Sequence, residues 1–236
     1  MLPNAPRSIA TTDDSVWVTT ANAGPVLRIQ PGGDPGSPQL ISIPVNTPTA
    51  EIAAGQGAVW VTAPAEKAVL RIDPASNQVV GKIVVGDEPD SIGAGEGAVW
   101  VANRRAQGSV QRIDPATNAV TASVPVGANP DQLAVGEGAV WVASPTDGTV
   151  SRIDPSTNRV SATIKVGNRS SFVVVALGSV WAVNGGDGTV SRIDPATNAV
   201  TATVPVGREP EAGAGSTDAV WVINHGDGTV SKIGYR

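Results

Sequence analysis

Short β-branched runs with alternating apolar and polar positions recur along this chain, separated by turns rich in Gly, Pro, Asn and Asp. The pattern is clearest between Asp187 and Gly207. Residues 190–193 and 200–206 read as two half-buried strands, because Val, Ile and Thr alternate with polar or small residues at period two. Between them Asp194-Pro195 opens a tight turn: proline presets φ, and the aspartate side chain can accept hydrogen bonds from the backbone amides that follow. Asn198 suits a left-handed position at the turn's end. Versions of this hairpin recur at residues 70–77, 111–118 and 151–158.

Six tryptophans set the period of the larger unit: Trp17, Trp60, Trp100, Trp141, Trp181 and Trp221, spaced by 43, 40, 41, 40 and 40 residues. A repeat near 40 residues with four strands per unit is the signature of a propeller blade. The pattern therefore predicts an all-β chain, a six-bladed β-propeller of four-stranded antiparallel blades. The expected blades are residues 1–46, 47–86, 87–127, 128–167, 168–207 and 208–236, in a single domain. The first blade is degenerate, with a Gly- and Pro-rich turn over residues 30–38. The last stops after its third strand, so it is expected to lack its outer strand. Aligning Pro6 with Pro210 sets Met1 and Leu2 opposite the end of an outer strand. This leads to the expectation that the chain begins inside a closing strand and that the parent protein continues upstream.

Strand order assigns every turn to one of two faces. The Gly-x-Gly turns and the Asp-Pro turns share one face and hardly change from blade to blade. Backbone geometry alone explains that constancy. The loops after each tryptophan and the outer-to-inner connections share the other face and vary, as expected where a rigid scaffold carries recognition. Ten residues before each tryptophan stand Arg7, Ala50, Asp90, Asp131, Ser171 and Glu211, expected around the mouth of the central channel. Three of these are carboxylates. A cation held by oxygen ligands there is one reading; a wet, mixed-charge mouth with no ion is the preferred one. The ligand-binding candidates are Arg104, Arg105, Phe172, Arg208, Asp90, Asp131 and Glu211. Arginine and aromatic side chains on a rigid rim make effective contact residues.

Composition narrows the chemistry. The chain has one histidine, His225, and no cysteine. A thiol nucleophile and a multi-histidine metal site are therefore excluded. His225 is the single candidate for a general base, and no nucleophile-elbow spacing accompanies any serine. No other catalytic or metal-binding residue is assigned, and no cofactor is identified. A net charge of −5 argues against a nucleic-acid partner. No apolar run is long enough to span a membrane, and the first residues do not read as a secretory leader. Arg28, Arg71, Arg112, Arg152, Arg192 and Lys232 recur once per blade. They read as structural side chains whose stems pack between blades while their heads pair with a nearby Asp.

The residues Gly97-Ala98-Val99-Trp100-Val101-Ala102-Asn103, with Arg112-Ile113-Asp114-Pro115-Ala116-Thr117-Asn118 and Val124-Pro125-Val126-Gly127, resemble repeats of the YVTN/NHL-like propeller superfamily. They look closest to the virginiamycin B lyase-like group. The resemblance covers nearly the whole chain and implies the propeller fold. For activity it implies two routes. The lyases of that group open a cyclic depsipeptide with a metal held by His and Glu residues, whereas this chain offers His225 alone as an imidazole. Related propellers serve as sensor or ligand-binding domains of bacterial receptors and kinases. The leading expectation is a non-enzymatic module that binds a small molecule or protein on its variable face, as an extracytoplasmic sensor domain of a longer bacterial protein. A metal-dependent lyase and a structural or assembly module are the alternatives.

Overall fold

The computed structural model describes residues 5–32 and 37–234. The expected partners of the closing strand, Met1 and Leu2, and part of the 30–38 turn lie outside the described residues. Among the described residues the chain is all-β apart from one 3-10 turn, Pro64–Glu66. It is the six-bladed β-propeller that the repeat predicts, with six antiparallel sheets, five of four strands and the last of three. That last blade consists of Pro210–Gly215, Ala219–Asn224 and Thr229–Gly234. The fifth is complete: Ser170–Ala176, Ser179–Asn184, Thr189–Asp194 and Ala199–Pro205. The chain divides into two compact units, Met1–Asn103 with Gln111–Ala122, and Arg104–Val110 with Ser123–Arg236.

Turn chemistry fixes the strand registers. In the hairpin before each central strand, Glu96-Gly97, Glu137-Gly138 and Leu177-Gly178 both take positive φ, at 50° and 73°, 52° and 68°, 55° and 64°. Two left-handed residues in succession give the hairpin twist that matches twisted strands, and glycine makes the second of them cheap. In the Asp-Pro turns the amide of Asn198 donates to the Asp194 carbonyl at 2.8 Å, with Asn198 at φ 58°. The Asp194 carboxylate accepts from the Ala196 amide at 2.9 Å. Asp73, Asp114 and Asp154 make the same bond to the residue two positions on. These bonds hold all four carboxyls below the ordinary carboxylate range, led by the backbone amide at Asp73, Asp114 and Asp194 and by the Ser156 hydroxyl at Asp154.

The core forms where the tryptophan face of one blade meets the strands of the next. In the first unit Trp17 packs with Ile52, Val59, Val61 and Ile72 of the second blade, and Trp60 with Ile92, Val99, Val101 and Ile113 of the third. In the second unit Trp141 packs with Val173, Val180 and Ile193 of the fifth blade, and Trp181 with Val220 and Val222 of the sixth. Each of these indoles is wedged under a cation of its own blade, at 4.8 Å for Arg28 and 5.6 Å for Arg192. The ring N–H of Trp60, Trp100, Trp141 and Trp181 reaches the carbonyl five residues earlier.

Two structural expectations are corrected. The pairing of the repeated cations with a nearby Asp holds for Lys232 with Asp218, at 3.0 Å, and for Arg28 with Asp14, but not for the hydrogen bonds of Arg71. Arg71 instead donates to the Pro115 carbonyl and the Asn118 amide oxygen, both at 3.0 Å, in the turn of the next blade. The planar guanidinium bridges two acceptors presented side by side. The tryptophans are not all core either: five are at most 3% exposed, but Trp221 is 40% exposed.

Candidate functional site

On the variable-loop face of the second unit, residues from four blades line one cavity of about 390 Å³. The third blade's loop contributes Arg104. The start of the fourth blade contributes Asp131. Arg169 comes from the outer-to-inner connection of the fifth blade and Ser171 from its inner strand, and Glu209, Glu211 and His225 come from the sixth. Pro145, Gly185 and Pro210 complete the wall without adding charge.

The loops that present these side chains are tied down by backbone bonds. The Gly185 amide donates to the Arg169 carbonyl at 3.1 Å, and the His225 amide to the Glu209 carbonyl at 3.0 Å. In three successive blades an aspartate pins the connection opposite it: Asp147 accepts from the Ala128 amide, Asp187 from the Asn168 amide and Asp227 from the Arg208 amide. These backbone bonds, with the side-chain bonds from Asn168 and Arg208, hold the Asp187 and Asp227 carboxyls below the ordinary range. The Asn168 amide leads at Asp187 and the Arg208 side chain at Asp227. Glycine is required beneath them. A Cβ on Gly167 would come within 2.5 Å of Asp187 Oδ2 and 2.6 Å of Asn184 Cγ, and Asn184 is itself buried and accepts from the Gly167 amide. The face expected to vary thus carries a constant Asp-Gly-Thr frame, with variation confined to the residues between its fixed points.

The structure brings four of the sequence candidates together in this cavity. Arg104 Nη1 lies 3.3 Å from Asp131 Oδ1. His225 Nδ1 lies 3.5 Å from Glu211 Oε1. The other candidates lie elsewhere. Arg208 is committed to Asp227 at 2.6 Å and to the Gly226 carbonyl, so its guanidinium is a strut of the loop frame. That pairing raises its pKa further above its ordinary value. Phe172 sits opposite Val183 after a bulge in its strand and packs on the core around Trp181. Arg105 is exposed, and its carbonyl accepts from the Asn129 amide. Asp90 belongs to the first unit, where its carbonyl accepts from the Thr62 hydroxyl. Among the described residues no group of three or more His, Cys, Asp and Glu side chains is placed to hold a metal ion.

Sequence reasoning passed over Arg169 and Glu209. Both stand twelve residues before their tryptophan, with Glu88 and Asn129 at the same place in earlier blades, and all four adopt left-handed φ between 48° and 55°. The signal was present. This one position changes charge from blade to blade, although its backbone conformation does not.

No family model and no curated protein matches this chain. Solved structures do. It is similar to a chain of the mitotic checkpoint complex, with a TM-score of 0.81 at 15% identity over 98% of this chain and 75% of that one. It is similar to the computationally designed Ika8 protein, with a TM-score of 0.79 at 15% identity over 98% and 71%. Hydrazine synthase of Kuenenia stuttgartiensis gives 0.64 at 13% identity over 98% and 96%. At these identities the likeness shows the β-propeller fold alone. The YVTN/NHL-like and virginiamycin B lyase-like families stay a resemblance of repeat residues.

Proposed function

We propose that this chain is a non-enzymatic binding module whose ligand site is the cavity on the variable-loop face. The observation that carries the reading is the convergence of loop residues from four blades on one cavity whose walls are held by backbone bonds. Walls ordered in advance lose little conformational freedom when a ligand arrives, so most of each polar contact goes into affinity. A binding propeller of this kind suits the sensor domain of a longer bacterial protein. The test is a ligand-observed NMR screen of small polar metabolites against the wild type, Arg104→Ala and Glu137→Gln. Hits lost in Arg104→Ala and kept in Glu137→Gln, on the constant-turn face, support the cavity. The reverse pattern moves the site to the other face.

One observation favours a second reading. His225 and Glu211 stand together at the cavity, as a general base and the carboxylate that orients it would. A lyase acting on a cyclic depsipeptide would use that pair. Turnover of such a substrate that disappears in His225→Ala would replace the binding reading.

A further inference from the structure

We propose that the cavity takes a small zwitterion of the amino-acid or short-peptide class, its carboxylate on the fifth-blade wall and its ammonium on the sixth-blade wall. This rests on the binding reading above and names the ligand for it. The argument starts from how charge is distributed. Two guanidiniums and three carboxylates line the cavity, and they are sorted by blade. The third and fourth blades contribute Arg104 and Asp131, which neutralise each other. The fifth contributes Arg169 and Ser171. The sixth contributes Glu209 and Glu211.

Neighbouring walls therefore carry opposite charges, yet they do not cancel. Among the described residues the Arg169 guanidinium makes no side-chain hydrogen bond or ion pair, and neither does the Glu209 carboxylate. Glu211 has the imidazole of His225 as its neighbour at 3.5 Å. A guanidinium and carboxylates on adjacent walls of one cavity, carried on backbone that is tied down but not paired with each other, leave room for a ligand that bridges them. A lone anion facing Arg169 also faces three carboxylates, and a lone cation facing the glutamates also faces two arginines. A ligand carrying both charges satisfies both walls, and each contact becomes a charge-assisted hydrogen bond. Size agrees. A cavity of about 390 Å³ lies at the small-ligand end of the usual range of roughly 300–1,000 Å³. An extended dipeptide separates its termini by about 7 Å at roughly 3.5 Å per residue. The remaining wall, Pro145, Gly185 and Pro210, offers side chains of low polarity to the peptide's middle.

The experiment is isothermal titration calorimetry with three probes: alanyl-alanine, its N-acetyl derivative and its C-terminal amide. Each is titrated into the wild type, Arg169→Gln, Glu209→Gln and Glu211→Gln, with thermal melts confirming that every variant is folded. The wild type is expected to bind the free dipeptide about tenfold or more tightly than either blocked form, as expected for one charge-assisted hydrogen bond lost. Arg169→Gln is expected to erase the preference over the amide alone. The glutamate variants are expected to erase the preference over the acetylated form alone. Equal binding of all three probes, or no heat from the free dipeptide at millimolar concentration, overturns the proposal. The NMR screen above separates the two failures. If metabolite hits, screened also against Arg169→Gln, depend on Arg104 or Arg169, only the ligand class is wrong; if they depend on neither, the cavity reading falls with it.

Discussion

In their two central strands the fifth and sixth blades are alike in sequence and opposite in environment. Trp181, Val183 and Val190 are at most 3% exposed, whereas their equivalents Trp221, Ile223 and Val230 are 40%, 49% and 60% exposed. The strands are paired in the same register in both: Trp181 faces Arg192, and Trp221 faces Lys232. What differs is the layer above. The fifth blade's tryptophan face is covered by Val220 and Val222 of the sixth, while Trp221, Ile223 and Val230 of the sixth have no such cover within their own unit. A repeat sequence therefore decides what surface a blade offers. Whether that surface becomes core is decided by a neighbour that the repeat itself does not contain.

The sharpest way to break this comparison is to truncate the two indoles. Trp181→Ala empties a packed site and is expected to cost about 3–5 kcal/mol, which lowers Tm by on the order of 10 °C in a chain of this length. Trp221→Ala is expected to cost less than half as much, because much of that ring is already in water. Equal losses by thermal or urea denaturation would show that the sixth blade's face is covered in solution. A finer test adds a hydroxyl without changing shape much. Val183→Thr buries an unpartnered hydroxyl and is expected to cost about 1–3 kcal/mol. Ile223→Thr is expected to stay within about 1 kcal/mol of wild type, as surface substitutions usually do. The smallest expected effect concerns acid. Asp194 closes the fifth blade's outer hairpin, and its folded pKa is lowered, first by the Ala196 amide and then by Thr197. A group whose folded pKa lies below its unfolded value contributes stability that is complete above the unfolded pKa, near 3.9, and is lost as pH falls through the folded one. The Tm difference between wild type and Asp194→Asn is therefore expected to hold from pH 7 to about pH 5 and to shrink as pH falls below the unfolded pKa. A difference that grew on acidification would show that the sign is wrong.

Strands, turns and blade count were legible because each rests on local chemistry. Asp194-Pro195 and Asn198 force their turn, and alternating valines force a two-faced strand. The site was only partly legible. Of the residues that line the candidate cavity, Asp131 and Glu211 stand out by counting back from the tryptophans, Arg104 as an arginine of a variable loop, and His225 as the one histidine of the chain. The pairing of Arg208 was not legible, because its partner, Asp227, lies 19 residues away and meets it only when the loop folds back. Phe172 is expected as an aromatic contact residue near the channel mouth, yet after a bulge between Ser170 and Phe172 it packs on the Trp181 cluster. Arg169 was missed because nothing local distinguishes a guanidinium that finds a partner from one that does not.

The open indole of the sixth blade also gives the molecule an optical handle. Five tryptophans sit in apolar surroundings beneath an arginine, while Trp221, under Lys232 at 5.0 Å, faces water. Emission from such a mixture should separate into a blue component shielded from iodide or acrylamide and a red one that quenches readily. The red component belongs to one residue. Any surface that settles on the sixth blade would shift and protect that component, with no label attached, and would leave the five shielded fluorophores as an internal reference.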